Sequence, residues 1–412
     1  MAAVEITRPQ RFILALVCAV AVSTIYAIQP VLEVASTGLG LARGSSGWLI
    51  AAGQLGYFAG LAVLVPLGDV ADRRRLITVH LALTALGASV VSVAPNGAVA
   101  MTGLLIAGLF AVVVQVTVAY VAAIAGPGER GRAIGAVTSG VVTGILGARV
   151  LAGFLGEVLG WRVVYALLAA LCVALAVIVR VMFGSDRRDR GLRYVDAMVS
   201  MGRLVRTDRL LLSRGLIALL LFASFGTLWS GLALPLGAPP WHLGTADIGL
   251  FGLAGLAGAL GAARAGRWAD SGRAQAITGS ALVVLTLSWA LIARAEVNLW
   301  LLVVGIVLLD FAVQAVHVSS QHLLTGAHST RAGSVIGAYM TFYSLGSALG
   351  AITTTRAYGI WGWVGCCWCG AAYSVSALIL WGLVQVVGKF RRGAASPPCR
   401  RPGCEDAMDL ES

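Results

Sequence analysis

The chain has 412 residues, 58% of them hydrophobic and only 12% charged, with a formal net charge of +12. That charged fraction is about half that of a soluble domain, too small to clothe a soluble fold of this size. The positive balance does not point to nucleic acid, because the basic residues lie between long apolar runs and form no basic domain of their own.

The apolar runs are long enough to cross a bilayer, which takes roughly 20 helical residues. Backbone polar groups in lipid have to be satisfied within the segment, so each run is predicted to be a helix. The first, Phe12–Val34, follows Arg8 and Arg11 and is too long for the apolar core of a cleaved signal, so it is read as a retained span. Spans two to six are placed at Ser46–Leu67, Leu76–Val93, Val99–Ala125, Ala133–Leu155 and Val163–Phe183. A polar stretch, Gly184 to Arg214, intervenes. Spans seven to twelve are placed at Leu216–Leu236, Ile248–Ala265, Ala276–Ala293, Leu299–Ser320, Ser334–Thr354 and Trp361–Val387. The expected organisation is a six-helix bundle over 1–183, a cytoplasmic loop over 184–214, a second bundle over 215–388 and a disordered cytoplasmic tail over 389–412.

Basic residues set the orientation. With the N-terminus inside, the outside segments hold only Arg43, Arg162, Arg294 and Arg356 of the 30 Lys and Arg; Arg149 lies within a span and all the rest fall inside. Both termini are therefore expected in the cytoplasm of a cell whose plasma (inner) membrane holds the chain. The seven cysteines imply no disulfide framework and no metal site, since Cys399 and Cys404 have no accompanying histidine.

The halves repeat each other at offsets near 200 residues. Gly160-Trp161 and Gly362-Trp363 open spans six and twelve, and Gly135-Ala136 and Gly337-Ala338 lie early in spans five and eleven. Gly68-Asp69-Val70-Ala71-Asp72-Arg73 follows span two, and Gly266-Arg267-Trp268-Ala269-Asp270 follows span eight. Duplication of a six-helix unit is a transporter architecture.

These loops, with Arg74 and Arg75 after the first and Arg273 after the second, resemble the loop signature of the major facilitator superfamily, roughly G-x-L-A-D-R-x-G-R-R. Val70 replaces the Leu, Arg75 stands at the second Gly, and Gly272 comes one place early in the second copy. Finer features resemble the family's drug/proton antiporter branch: Ile25 to Pro30 in span one, the Gly-rich span five with Gly140, Gly144, Gly147 and Gly153, and Val313 to Val318 in span ten. Ile145 follows Gly144 where that branch usually has Pro. The resemblance implies twelve helices in two pseudo-symmetric bundles, a cavity lined by spans one, four, seven and ten, and a gating role for Gly68, Asp69, Asp72, Arg73, Arg74, Gly266, Asp270 and Arg273. Asp72 would engage basic groups and a helix N-terminus of the other half and so hold one access state closed.

Two charges lie clearly within spans. Asp310 is about 17 Å from the outer end of span ten and Arg149 about 9 Å from that of span five, at 1.5 Å per residue. Charges at such depth face a cavity or a partner. Gln314 and His317 follow Asp310 at i+4 and i+7, on one helix face. Asp310, Arg149 and His317 are the candidate proton-coupling groups, and Tyr26, Gln29, Gln115 and Gln314 the candidate cavity groups. A structural Asp310–Arg149 pair and interhelical glutamine hydrogen bonds are the competing readings; Glu33 and Glu157 are placed at the interface. The expected function is proton-coupled export of a small organic or amphiphilic compound by a monomer without cofactor; uptake symport, facilitation or a non-transporting receptor are the alternatives. No metal-binding helix motif, nucleophile elbow or phosphate loop is present, and Lys389, the only lysine, precedes Phe390, which excludes a Walker sequence.

Overall fold

The computed structural model describes residues 7–42, 45–124, 130–184, 194–261, 274–327 and 332–394, and every regular element among them is helical. Among the described residues, nine helices are long and apolar enough to cross a membrane. The last of these, Val335–Val387, holds two passes joined at Gly362, and the shorter apolar helices Gly47–Val63 and Thr245–Leu260 bring the passes to twelve. Odd-numbered spans run away from the end that carries Arg8 and Ala394, and even-numbered spans return. The two ends are called here the termini end and the far end.

Local chemistry sets the helix limits. Span one starts at Thr7, whose hydroxyl accepts from Gln10 N while the Gln10 side chain accepts from Thr7 N. It breaks after Tyr26, and a short helix, Leu32–Gly38, follows Pro30. Span seven starts at Arg209, inside the segment expected to be loop, because Asp208 caps it through Leu211 N at 2.8 Å. It breaks after Gly231 into the short helix Ala233–Gly237, which contains Pro235. Spans one and seven thus break at equivalent points of the two halves, near a proline that cannot donate to a continuing helix. A further correction to the loop is the helix Tyr194–Thr207 within 184–214. Span two ends at Val63, not Leu67, because Pro66 starts a tight turn over Val65–Asp69. Of the tail, 389–394 continue the last helix and 395–412 lie outside the described residues.

The two Gly-Trp repeats have a common cause. Gly160 and Gly362 adopt φ of +87° and +64°, which L side chains avoid, and each turns the chain at the far end between two spans. The glycines of span five repeat as well. A Cβ on Gly140 or Gly144 would strike the carbonyls of Ala15 and Ala19 in span one, and a Cβ on Gly346 or Gly350 of span eleven those of Leu219 and Ala223 in span seven. The Gly-rich stretch of span five is therefore half of a duplicated helix contact in which small residues let backbones touch.

Each half has its own apolar core, one built on residues such as Leu14, Ile25, Leu81 and Tyr165, the other on Leu221, Leu282, Leu309 and Trp363. Outward faces are apolar, with Trp300, Val181 and Trp368 more than 70% exposed, while Arg149, Arg214 and Asp310 are buried. Such apolar outer faces suit lipid, not water. The halves press together at the far end: Thr245 Oγ1 donates to Gly153 O at 2.9 Å, Ala246 N donates to Glu157 Oε2 at 2.8 Å, and Gly47 backs onto the Ala351 carbonyl. Glu157 is thus no passive interfacial residue. Its carboxylate meets the N-terminus of span eight, where the helix dipole favours negative charge.

Candidate functional site

The breaks in spans one and seven come together with span five and the start of span eight. Gln29, Pro30, Arg149, Trp229, Leu232, Ala233 and Ile248 line a narrow pocket there. Discontinuous helices near the midplane are where transporters build binding sites.

Arg149 is 2% exposed. Its Nε donates to Gln29 Oε1 at 2.9 Å, and its guanidinium lies 3.7 Å from the centre of the Trp229 ring, 5.5 Å from that of Tyr26 and 5.6 Å from that of Phe225. Nη1 and Nη2 have no partner. Removing a guanidinium from water costs several kcal/mol. One charged hydrogen bond returns about 1.5–3 kcal/mol and a desolvated cation–π contact about 2 kcal/mol, which together are comparable with that cost, while the two Nη groups stay without hydrogen-bond partners.

Asp310 is also 2% exposed and is the only buried carboxylate among the described residues. It faces Arg149 electrostatically, but its Oδ2 has no partner and the two groups form no contact ion pair. Trp229 lies against both groups. The guanidinium occupies its face, while the ring edge and an Asp310 carboxylate oxygen both converge on Gly255 of span eight. A Cβ on Gly255 would lie 2.8 Å from Trp229 and 3.3 Å from Asp310, and one on Gly252 would lie 3.2 Å from the Arg149 Cβ. Glycines at this spacing let span eight pass between the two charges.

His317 belongs to a second cluster. Its Nδ1 lies 3.1 Å from Tyr339 Oη and its Nε2 3.1 Å from Gln321 Nε2, and its ring packs against Phe222 and Tyr343. Tyr343 links the clusters, since its hydroxyl is hydrogen-bonded to that of Tyr26 across the two halves. Gln314 is half-buried one turn from Asp310. Gln115 donates to Tyr57 Oη at 3.3 Å, so it joins spans four and two. Sequence reasoning missed Trp229, Tyr57, Tyr343, Phe222 and Gln321. It also missed Arg214, buried near the termini end and held by Thr278 and Gln275.

Three bonds of the loop after span two run to the first half. Asp72 caps the following helix by accepting from Arg75 N at 3.3 Å, Arg73 Nε donates to Gly68 O at 2.9 Å, and Arg74 Nη1 donates to Phe183 O at 3.1 Å. Asp69 lies at the end of the tight turn. Gly266, Asp270 and Arg273 lie outside the described residues. Groups of His, Cys, Asp or Glu able to hold a metal are absent among the described residues.

The family model described as Major Facilitator Superfamily matches residues 12–351. The chain is 36% identical over 361 residues to the uncharacterized transporter YgaY of Escherichia coli O157:H7, covering 88% of this chain and 92% of that one. It is 33% identical over 364 residues to the probable transporter SCO4007 of Streptomyces coelicolor, covering 88% and 84%. Among solved structures, a bacterial homolog of the human lysosomal transporter Spinster, in an inward-facing and unoccupied conformation, superposes with a TM-score of 0.74 at 14% identity, over 95% of this chain and 100% of that one.

Proposed function

The chain belongs to the major facilitator superfamily, and from that premise we propose that this multi-pass membrane transporter couples proton movement to the export of a small organic or amphiphilic molecule. The observation that carries the reading is the buried, partly unpartnered carboxylate of Asp310, close to Arg149 but not bound to it. A carboxylate held this way changes its charge cheaply when its neighbours rearrange, since either a proton or the guanidinium neutralises it. Rocking of the two halves about the pocket would then expose Asp310 to each side in turn. The far-end contacts through Glu157 and Thr245 would hold one access state, and Asp72 would govern the other. His317 serves as a second titrating group at the termini end of the Tyr26–Tyr343 pair. Tyr26, Gln29, Gln115 and Gln314 serve as cavity groups. The protein works as a monomer in the plasma membrane, both termini cytoplasmic, without cofactor.

Export rests on the resemblance of spans one, five and ten to the antiporter branch. The second reading is uptake by symport or facilitation. The test is flux in proteoliposomes under an imposed pH gradient, with substrates found by a ligand-stabilisation screen, in which binders raise the melting temperature by mass action. Uphill movement that stops when the gradient is collapsed supports proton coupling. Gradient-independent flux reduces the protein to a facilitator.

A further inference from the structure

We propose that the Arg149 guanidinium is the recognition point for a carboxylate, so that the molecule this transporter carries is an organic anion with an apolar body. The inference deepens the transport reading and rests on it for the word carries; the binding itself does not depend on proton coupling. Nη1 and Nη2 are buried and without partners, and Arg149 lines the pocket formed at the breaks of spans one and seven. Gln29 takes the remaining Nε–H, and the rings of Trp229, Tyr26 and Phe225 surround the group. What is left open is the two-nitrogen edge, the part of a guanidinium that matches the two oxygens of a carboxylate in a planar fork.

The rest of the lining fixes the class. Apart from Arg149 and Gln29, the pocket is made of Pro30, Trp229, Leu232, Ala233 and Ile248. A cationic ligand would find the guanidinium there and no acid in the lining. A neutral apolar ligand would leave the guanidinium dry and unpaired, at the desolvation cost already described. An anion with an apolar body answers both parts of the lining.

A coupling sign follows. Arg149 is the one charged group that faces Asp310 among the described residues, and the Tyr26 and Tyr343 hydroxyls face Arg149. A bound carboxylate and the Asp310 carboxylate compete for that single cation. A proton on Asp310 removes the competition, so anion and proton bind together, and the pair of empty and fully loaded sites carry the same net charge. Co-binding is the arrangement of a symporter, so the pH arm of the test below also decides between the two readings above.

The experiment is a melting-temperature titration of the purified full chain with sodium acetate and sodium benzoate, against sodium chloride, benzyl alcohol and benzylamine hydrochloride at matched ionic strength. A saturable rise with a carboxylate and none with the controls is expected. In Arg149→Gln the apparent affinity falls on the order of tenfold or more, the effect of losing a charged hydrogen-bond pair. Arg149→Lys, which keeps the charge but not the fork, also weakens binding and serves if the Gln variant does not fold. Carboxylates no better than chloride, or equal binding in both variants, overturn the proposal. Between pH 8 and 6, where benzoate remains ionised, wild-type binding tightens as pH falls, whereas Asp310→Asn binds at least as well at every pH; a flat wild-type profile overturns the co-binding. Absence of carboxylate binding alongside gradient-driven flux refutes the anion site alone. Carboxylate binding alongside gradient-independent flux refutes proton coupling alone.

Discussion

A single methyl group on Gly153 is expected to loosen the far-end closure. A Cβ there would overlap the Thr245 carbonyl and lie 3.1 Å from the Gly249 Cα. Both are backbone, so no side chain can turn aside, and spans five and eight have to part. The hydrogen bond from Thr245 to Gly153 O and, one turn on, that from Ala246 N to Glu157 weaken together. A neutral hydrogen bond contributes about 1 kcal/mol and a solvent-exposed charged one about the same, so Gly153→Ala shifts the balance toward far-end opening by about 2 kcal/mol, roughly 30-fold. The assay is the reaction of an Ile248→Cys reporter with a membrane-impermeant maleimide added from the far side. Cys18, Cys172, Cys366 and Cys367 are buried, and the parent protein gives the remaining background. Labelling should quicken by about that factor in Gly153→Ala and stay unchanged in Gly147→Ala, whose added methyl meets nothing within 4 Å. Equal labelling of Gly153→Ala and its parent would refute the role given to this contact.

Asp72→Asn keeps a residue that can cap the helix at Arg73, so the protein should stay folded while transport slows greatly; undiminished flux removes the gating role. Gly362→Ala should cost about 1–2 kcal/mol through its left-handed backbone, read as a lower melting temperature, and an unchanged value would contradict the turn assignment. A reporter fused after Ser412 should read cytoplasmic and one between Pro95 and Gly97 extracytoplasmic, from the basic-residue asymmetry; the reverse pattern overturns the orientation.

Much of this fold is legible in the sequence because a bilayer leaves so few options. Apolar runs have to be helices, and the duplicated Gly-Trp pairs mark turns that need positive φ at both Gly160 and Gly362. The helix breaks are less legible, since Pro30 and Pro235 in apolar runs are as compatible with a kink as with a break. That Asp310 and Arg149 are buried is readable from their place in apolar spans, but not that they form no contact pair. Both groups lie against Trp229, and a tryptophan in an apolar span carries no mark distinguishing a site residue from a packing residue. His317 shares a helix face with Asp310 yet serves another cluster, because its partners Tyr339 and Phe222 come from spans eleven and seven. Glu157 reads as an interfacial acid until span eight places a helix N-terminus against it.

The most direct test of proton coupling is gradient-driven flux in Asp310→Asn, measured beside its melting temperature. Asn keeps nearly the shape of Asp but cannot ionise, and the wild-type carboxylate forms no contact pair whose loss would strand Arg149 further. Uphill flux driven by a pH gradient should therefore vanish, with substrate binding, downhill exchange and stability retained. A large loss of stability, reversed by exchanging the charges in Arg149→Asp with Asp310→Arg, would make Asp310 a structural counter-ion instead. Normal uphill flux at normal stability would contradict the central role of Asp310 and leave His317 as the next group to remove.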